Sequence, residues 1–322
     1  MSVLSSFIAA AASMFFAGAA LAAEVQTRKV SFDNEGVALI GTLYLPADYR
    51  PGEKRPGVLV TGAWTSVKEQ MSGLYAREMA ERGYVSLAFD FRGWGESGGT
   101  ARFREDPAAK KSDIVAAGRF MASLPDVDAA KIAGLGICAS AGYMAQAASA
   151  NANFASVALV APWLHDARIV EQVYGGPEGV AALIATSRQA EAAERKGRPR
   201  IVVAASMSDR TSLMYQIPYY TESNRGLIPA YDNKFNLASW EPWLTYDSVA
   251  VGAQLHKPTL IVHSEAAAIP QGAHAFFALL EGDRSELWLD DVAQFDFYDK
   301  PENVTRAADA AAAHFNRINS GS

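Results

Sequence analysis

Cysteine is almost absent from this sequence: Cys138 stands alone among 322 residues. A single thiol excludes an intramolecular disulfide and every zinc motif built from cysteine pairs. Histidine is scarce as well, with five residues at positions 165, 256, 263, 274 and 314, and none has the HxH or HxxxH spacing of a metal site. We therefore expect no metal, and Cys138 is either catalytic or a small buried apolar side chain.

An excess of basic residues is missing too. The 29 Lys and Arg face 35 Asp and Glu, which gives a net charge of −6 and argues against nucleic-acid binding. Gly134-Leu135-Gly136 lacks the third glycine of a dinucleotide site, and no GKS or GKT occurs. We expect no cofactor and a small-molecule substrate as the partner; the sequence leaves the oligomeric state open.

The first 22 residues have the pattern of a signal peptide. Residues 4–22 are apolar and uncharged, and Ala20-Leu21-Ala22 fits the small-x-small cleavage rule. The segment before them has no Lys or Arg, and the apolar run is nearly long enough for a retained membrane anchor. We favour cleavage, which predicts an exported protein, periplasmic or secreted, without stable membrane association.

The remaining chain alternates strand and helix patterns. Continuous apolar runs predict buried strands at 57–61, 84–89, 131–137, 156–161, 259–263 and 285–289. Helices are predicted between them at 71–82, 113–123 and 141–150, with a closing helix at 304–316. This order predicts an α/β fold with a mostly parallel sheet covered on both faces. Segments 26–32 and 37–45, joined by a DNEG turn, add an antiparallel hairpin at one edge.

An insertion interrupts this alternation. About a hundred residues separate the strand ending near Ala161 from the one beginning near Thr259, far more than an ordinary connection. We predict a lid over residues 165–254, with the core formed by 24–164 and 255–318. Its aromatic side chains would either wall a ligand pocket or attach the lid to the core. They are Tyr215, Tyr219, Tyr220, Tyr231, Phe235, Trp240, Trp243 and Tyr246.

The segment 134–142, GLGICASAG, lies between a predicted buried strand and a helix of small residues. A nucleophile flanked at two residues' distance by small residues is typical of a sharp strand-to-helix turn. Two registers fit, one centred on Cys138 and one on Ser140. We favour Cys138 because the strand ends directly before it and Gly136 precedes it by two residues. The following helix terminus would favour its thiolate.

These features resemble the α/β-hydrolases, and within them the dienelactone-hydrolase-like group with a cysteine at the nucleophile elbow. The resemblance covers about residues 30–315. The matching segments are GICAS at 136–140, VTGAW at 60–64, DFRGWGES at 90–97 and FDFYD at 295–299. It implies that Ala139 and either Ala63 or Trp64 supply backbone N–H groups to an oxyanion.

The chain departs from that pattern at two positions. Where the group has its general-base histidine, before residues 295–299, this chain has Gln294, which cannot accept a proton from a thiol. The loop that would supply the acid has Ala267 at the expected position, so Glu265 is the remaining carboxylate nearby. The resemblance therefore implies an atypical triad.

Three alternatives to the missing histidine are open. His165 follows the strand ending near Ala161 and could reach the elbow from the lid hinge, or it could hold the hinge by a hydrogen bond. His263 ends a neighbouring strand, where a histidine is more often a core residue. The thiol could also be activated by the helix terminus and a nearby carboxylate such as Glu69, because cysteine needs less help than serine.

We expect an exported hydrolase that cleaves an ester, lactone or thioester of a small apolar or aromatic substrate through Cys138. Two alternatives remain. The missing histidine is consistent with a ligand-binding protein without catalysis, and Gln294 could position a substrate or water in a non-hydrolytic enzyme such as a lyase.

Overall fold

The computed structural model describes residues 24–150 and 153–321. The predicted signal peptide over residues 1–22 lies outside the described residues. Within the described ranges, no helix combines the length and the apolar character that crossing a bilayer requires.

The described chain forms twelve strands and ten α-helices. The strands are β1 (Gln26–Asn34), β2 (Val37–Leu45), β3 (Arg55–Thr61), β4 (Val85–Phe89), β5 (Val127–Ile137), β6 (Ser156–Val160), β7 (Ile201–Val203), β8 (Ala205–Ser206), β9 (Met214–Tyr215), β10 (Lys234–Asn236), β11 (Thr259–His263) and β12 (Arg284–Trp288). The helices are α1 (Met71–Glu81), α2 (Pro107–Ser123), α3 (Ala139–Ser149), α4 (Ala167–Val173), α5 (Gly176–Glu194), α6 (Pro218–Thr221), α7 (Trp240–Leu244), α8 (Pro270–Leu279), α9 (Asp296–Asp299) and α10 (Pro301–Ser320).

Eight strands form one sheet in the order β1-β2-β4-β3-β5-β6-β11-β12. The β1–β2 and β2–β4 pairs are antiparallel, and all other pairs in this sheet are parallel. Helix α1 packs beside α10, and α2 packs beside α3. The predicted fold class, a mostly parallel sheet with helices and an antiparallel N-terminal edge hairpin, is confirmed.

Several predicted boundaries were wrong for local reasons. Helix α2 begins at Pro107 rather than at residue 113, because the Asp106 carboxylate accepts hydrogen bonds from the N–H groups of Ala108 and Ala109 and so caps the helix. Strand β12 is an edge strand whose residues are exposed or half-buried, although its sequence predicted a buried one. Its single neighbour is β11, so one side faces solvent.

The chain between β6 and β11 is the segment predicted to form an inserted lid. It contains α4 to α7 and two small two-stranded pairs, β7–β10 and β8–β9. Its rings pack on Trp64 of the core: Phe235, Trp240 and Trp243 lie 4.8, 5.8 and 5.4 Å away between ring centroids. The lid boundaries 165–254 stay a prediction.

Candidate active site

Cys138 lies at the junction of β5 and α3, where the backbone turns sharply. Its φ of 57° and ψ of −122° fall in a region that side chains other than glycine rarely adopt. The turn needs a small residue at Gly136, since an added Cβ would lie 2.7 Å from the Ser140 carbonyl oxygen. Ser140 lies in the first turn of α3, and its hydroxyl donates to the Gly62 carbonyl. Of the two registers, the strained position is that of Cys138.

Two backbone N–H groups face the Cys138 sulfur, those of Ala139 and Trp64. The N–H of Ala63 points elsewhere and donates to the Met71 sulfur at 3.4 Å. Of the two candidates on this loop, Trp64 rather than Ala63 therefore has its N–H facing the Cys138 sulfur. A pair of N–H groups beside a nucleophile's position is the arrangement that stabilises a tetrahedral oxyanion.

Glu105 anchors the loop that carries Trp64. Sequence analysis did not identify this residue. The Glu105 carboxylate accepts from the Thr65 N–H at 3.3 Å and from the Tyr143 hydroxyl at 3.0 Å. It also pairs with Lys110 at 2.6 Å, and both charged side chains are buried. Thr65 has a φ of 61°, so this anchor holds a strained residue next to Trp64.

Gln294 occupies the position expected for the histidine and lines the same cavity as Cys138. Its Nε2 donates to the Ala161 carbonyl at 2.8 Å and to the Tyr298 hydroxyl at 3.1 Å. Its Oε1 accepts from the Ala268 N–H at 3.0 Å. Tyr298 lines this cavity too, and its hydroxyl acts to lower the pKa of the Cys138 thiol. Sequence analysis missed Tyr298; its spacing of four residues from Gln294 was the available signal.

His165 is held away from the sulfur. Its Nδ1 accepts from the Trp163 indole at 3.1 Å, and its Nε2 lies 3.1 Å from the Trp243 carbonyl. An acceptor Nδ1 assigns the proton to Nε2, so the neutral ring has both nitrogens engaged. Burial lowers the pKa of His165 to about 4. This geometry matches the hinge role rather than that of a base for Cys138.

The other candidates lie apart from the sulfur. His263 is fully buried, with its ring centroid 5.2 Å from that of Trp288 in an edge-on arrangement, and burial lowers its pKa to about 4. Glu265 is exposed and pairs with His274 at 2.7 Å. Glu69 is an exposed partner of Lys68 at 2.6 Å. Among the candidates predicted, the structure brings together Cys138, Ala139, Trp64 and Gln294.

Burial raises the pKa of the Cys138 thiol, because the thiolate would lose its hydration. The Tyr298 hydroxyl and the N–H groups of Ala139 and Trp64 act in the opposite direction, but burial is the larger effect. The N–H of Ala139, in the first turn of α3, acts in the direction expected of the helix terminus, but burial outweighs it. In the free protein, Cys138 carries its proton at neutral pH.

Cys138 lines a cavity of about 600 Å³, and none of the described residues around this cavity is Asp, Glu, Lys or Arg. Four of the eight aromatic residues singled out in the insertion line it, and the other four do not, so both interpretations of these residues hold in part. The four that line it are Tyr215, Tyr220, Trp240 and Trp243. Such a cavity suits an uncharged, apolar ligand.

No protein-family model matches the chain. The uncharacterized protein PA2218 of Pseudomonas aeruginosa is 29% identical over 306 residues, which cover 88% of this chain and 79% of that protein. Its crystal structure has a TM-score of 0.81 at 27% identity and covers 92% of this chain and 94% of its own.

Two fungal proteins are also similar. The α/β hydrolase GrgF from Penicillium sp. sh18 has a TM-score of 0.77 at 17% identity, covering 91% of this chain and 99% of its own. A protein of Eupenicillium brefeldianum named thiohydrolase is 24% identical over 237 residues, 71% of this chain and 73% of that protein. A dienelactone hydrolase and esterases are among the further structures that share this architecture. The chain therefore has the α/β-hydrolase fold.

Proposed function

We propose that the protein is a hydrolase that cleaves an ester, lactone or thioester of a small apolar or aromatic substrate, with Cys138 as the nucleophile. One observation carries the proposal: Cys138 has a strained backbone at the base of an apolar cavity, with the N–H groups of Ala139 and Trp64 facing its sulfur. Strain of this kind persists where the surrounding structure enforces it, and such positions concentrate at active sites.

The proposed reaction has two stages. The Cys138 sulfur attacks the substrate carbonyl, and the N–H groups of Ala139 and Trp64 stabilise the oxyanion that forms. The leaving group departs with the thiol proton and leaves an acyl thioester on Cys138. Water then attacks this thioester, which releases the acid and restores the thiol.

A second candidate is a ligand-binding protein of the same fold without turnover. It is favoured by Gln294, whose amide is fully engaged with Ala161, Tyr298 and Ala268 and offers no basic nitrogen to Cys138 or to water. The raised pKa of the Cys138 thiol also fits this candidate, since a protonated thiol is a poor nucleophile.

Intact-protein mass after incubation with short p-nitrophenyl and thiophenyl esters separates the two candidates. A hydrolase gives a burst of chromophore and an acyl mass increment, and both disappear in Cys138→Ala. Ser140→Ala is the matched control, because Ser140 was the nucleophile of the other register, and it keeps the increment. Absence of both signals in folded wild-type protein establishes the binding protein instead.

A further inference from the structure

The hydrogen bonds of Gln294 determine the direction of the Tyr298 hydroxyl. Both protons of the Gln294 amide are used, one by the Ala161 carbonyl and one by the Tyr298 oxygen. The reversed amide would place two oxygens together at Ala161 and two N–H donors together at Ala268, which donates to Gln294 Oε1. The amide therefore has one favourable orientation, and in it the Tyr298 oxygen is an acceptor.

The proton of the Tyr298 hydroxyl is thus directed away from Gln294. Tyr298 and Cys138 line the same cavity, and the Tyr298 hydroxyl acts to lower the pKa of the Cys138 thiol, as a donor directed at the sulfur does. Tyr298 is buried, and burial holds its pKa well above the ordinary value, so the hydroxyl keeps its proton over the working pH range. The group beside the nucleophile is therefore the neutral hydroxyl of Tyr298, while the position expected for an imidazole is occupied by Gln294.

We propose that Tyr298 is a catalytic residue that carries the proton of Cys138 to the leaving group, and that this selects thioesters over alkyl esters as substrates. The inference rests on the proposed function. With the thioester bound, the Tyr298 proton turns from the Cys138 sulfur to the sulfur of the substrate. In a single step the Cys138 sulfur bonds to the carbonyl carbon and the carbon–sulfur bond of the substrate breaks. In that same step the thiol proton passes to the Tyr298 oxygen and the Tyr298 proton passes to the departing sulfur. Tyr298 is neutral before and after the step.

The selectivity follows from the basicity of the two groups that exchange the proton. A phenol oxygen is too weak a base to hold a second proton, so the exchange has to be concerted. A concerted proton exchange is feasible between two thiols, because each has an ordinary pKa of about 8.5. An alkoxide is far more basic, with bulk water at about 15.7 as a guide. Without an imidazolium to protonate it, the tetrahedral intermediate expels the Cys138 sulfur instead.

The test compares acylation of Cys138 by two thioesters of the same acyl group, one of an alkyl thiol and one of thiophenol. Thiophenolate is a weak base that departs without a proton, and the thiol proton of Cys138 is then released to water instead of the leaving group. In Tyr298→Phe we expect the alkyl thioester to acylate about 100-fold more slowly, and the thiophenyl ester to slow only several-fold. Gln294→Leu removes the N–H that orients the Tyr298 hydroxyl, so we expect it also to slow acylation by the alkyl thioester more than acylation by the thiophenyl ester. Wild-type protein reacts far more slowly with the alkyl oxygen ester.

Tyr75→Phe is the matched control, because the Tyr75 hydroxyl donates to the Phe297 carbonyl at 2.8 Å and so supports α9 without touching the sulfur. It leaves the ratio of the two rates unchanged. A loss of equal size on both thioesters in Tyr298→Phe assigns Tyr298 a structural role and overturns the shuttle, as does equal wild-type reactivity toward the oxygen ester and the alkyl thioester. Wild-type protein that forms no acyl adduct overturns the proposed function itself.

Discussion

Acidification from pH 7 to pH 5 is expected to lower the free energy of unfolding by about 4 kcal/mol through two buried histidines. Burial lowers the pKa of His165 and of His263 from 6.5 to about 4. The unfolded chain therefore binds these protons first as the pH falls. The stability is fully present above pH 6.5 and is lost as the pH falls toward 4, with about 2 kcal/mol for each ring by pH 5.

Urea unfolding at pH steps between 7 and 5 measures this loss. His263→Phe is the informative variant, because a phenyl ring keeps the edge-on contact that His263 makes with Trp288. It retains the contribution of His165 and removes the share of His263 from the pH slope. His314, whose pKa is also lowered by burial, contributes to the slope of both proteins. Carboxylates such as Glu96, with a pKa of about 2, add their own loss mainly at lower pH. A flat profile between pH 7 and 5 would show that neither ring is held neutral by the fold.

Lys110→Met is expected to cost about 3–5 kcal/mol of unfolding free energy, because it leaves Glu105 as an unpaired buried charge. The two side chains are 2% and 0% exposed and 2.6 Å apart. The Lys110 ammonium also lies 4.6 Å from the Phe91 ring centroid and 5.2 Å from that of Trp94, so it has lost most of its water.

Chemical denaturation of the single variant and of the double variant Glu105→Gln with Lys110→Met tests this prediction. The double variant recovers most of the loss, since neither position of this pair then carries a buried charge. Arg188→Ala, which breaks the exposed pair with Glu241, is the control and changes stability little. A Lys110→Met variant as stable as wild type would contradict the prediction. That result would mean that the Glu105 carboxylate is hydrated or protonated in the variant.

The fold was predictable from local patterns. Continuous apolar runs marked the buried parallel strands, and the DNEG turn marked the β1–β2 hairpin. The elbow was also visible, since the end of β5 and Gly136 together placed the turn at Cys138. The exposure of β12 was not predictable, because the sequence of a strand does not show whether it will have one neighbouring strand or two.

The groups around Cys138 were less predictable, because each depends on contacts between distant segments. Trp64 rather than Ala63 faces the sulfur because the chain turns at Thr65, with a φ of 61°, against a carboxylate 40 residues away. His165 is withdrawn by a carbonyl 78 residues away in the insertion. Tyr298 reaches Cys138 only once the loop after β12 folds over the end of β5.

The ring of Trp64 packs against the insertion while its N–H faces Cys138. In the proposed reaction, substrate choice and transition-state stabilisation therefore share one residue. A change of Trp240 or Trp243 that admits a new substrate is then expected to displace the proposed oxyanion donor as well. Substitutions that change the substrate without displacing Trp64 are therefore expected in other parts of the cavity wall. Leu213 and Met214 line the cavity without a ring to stack on Trp64, and they offer a route by which specificity evolves while the rate is preserved.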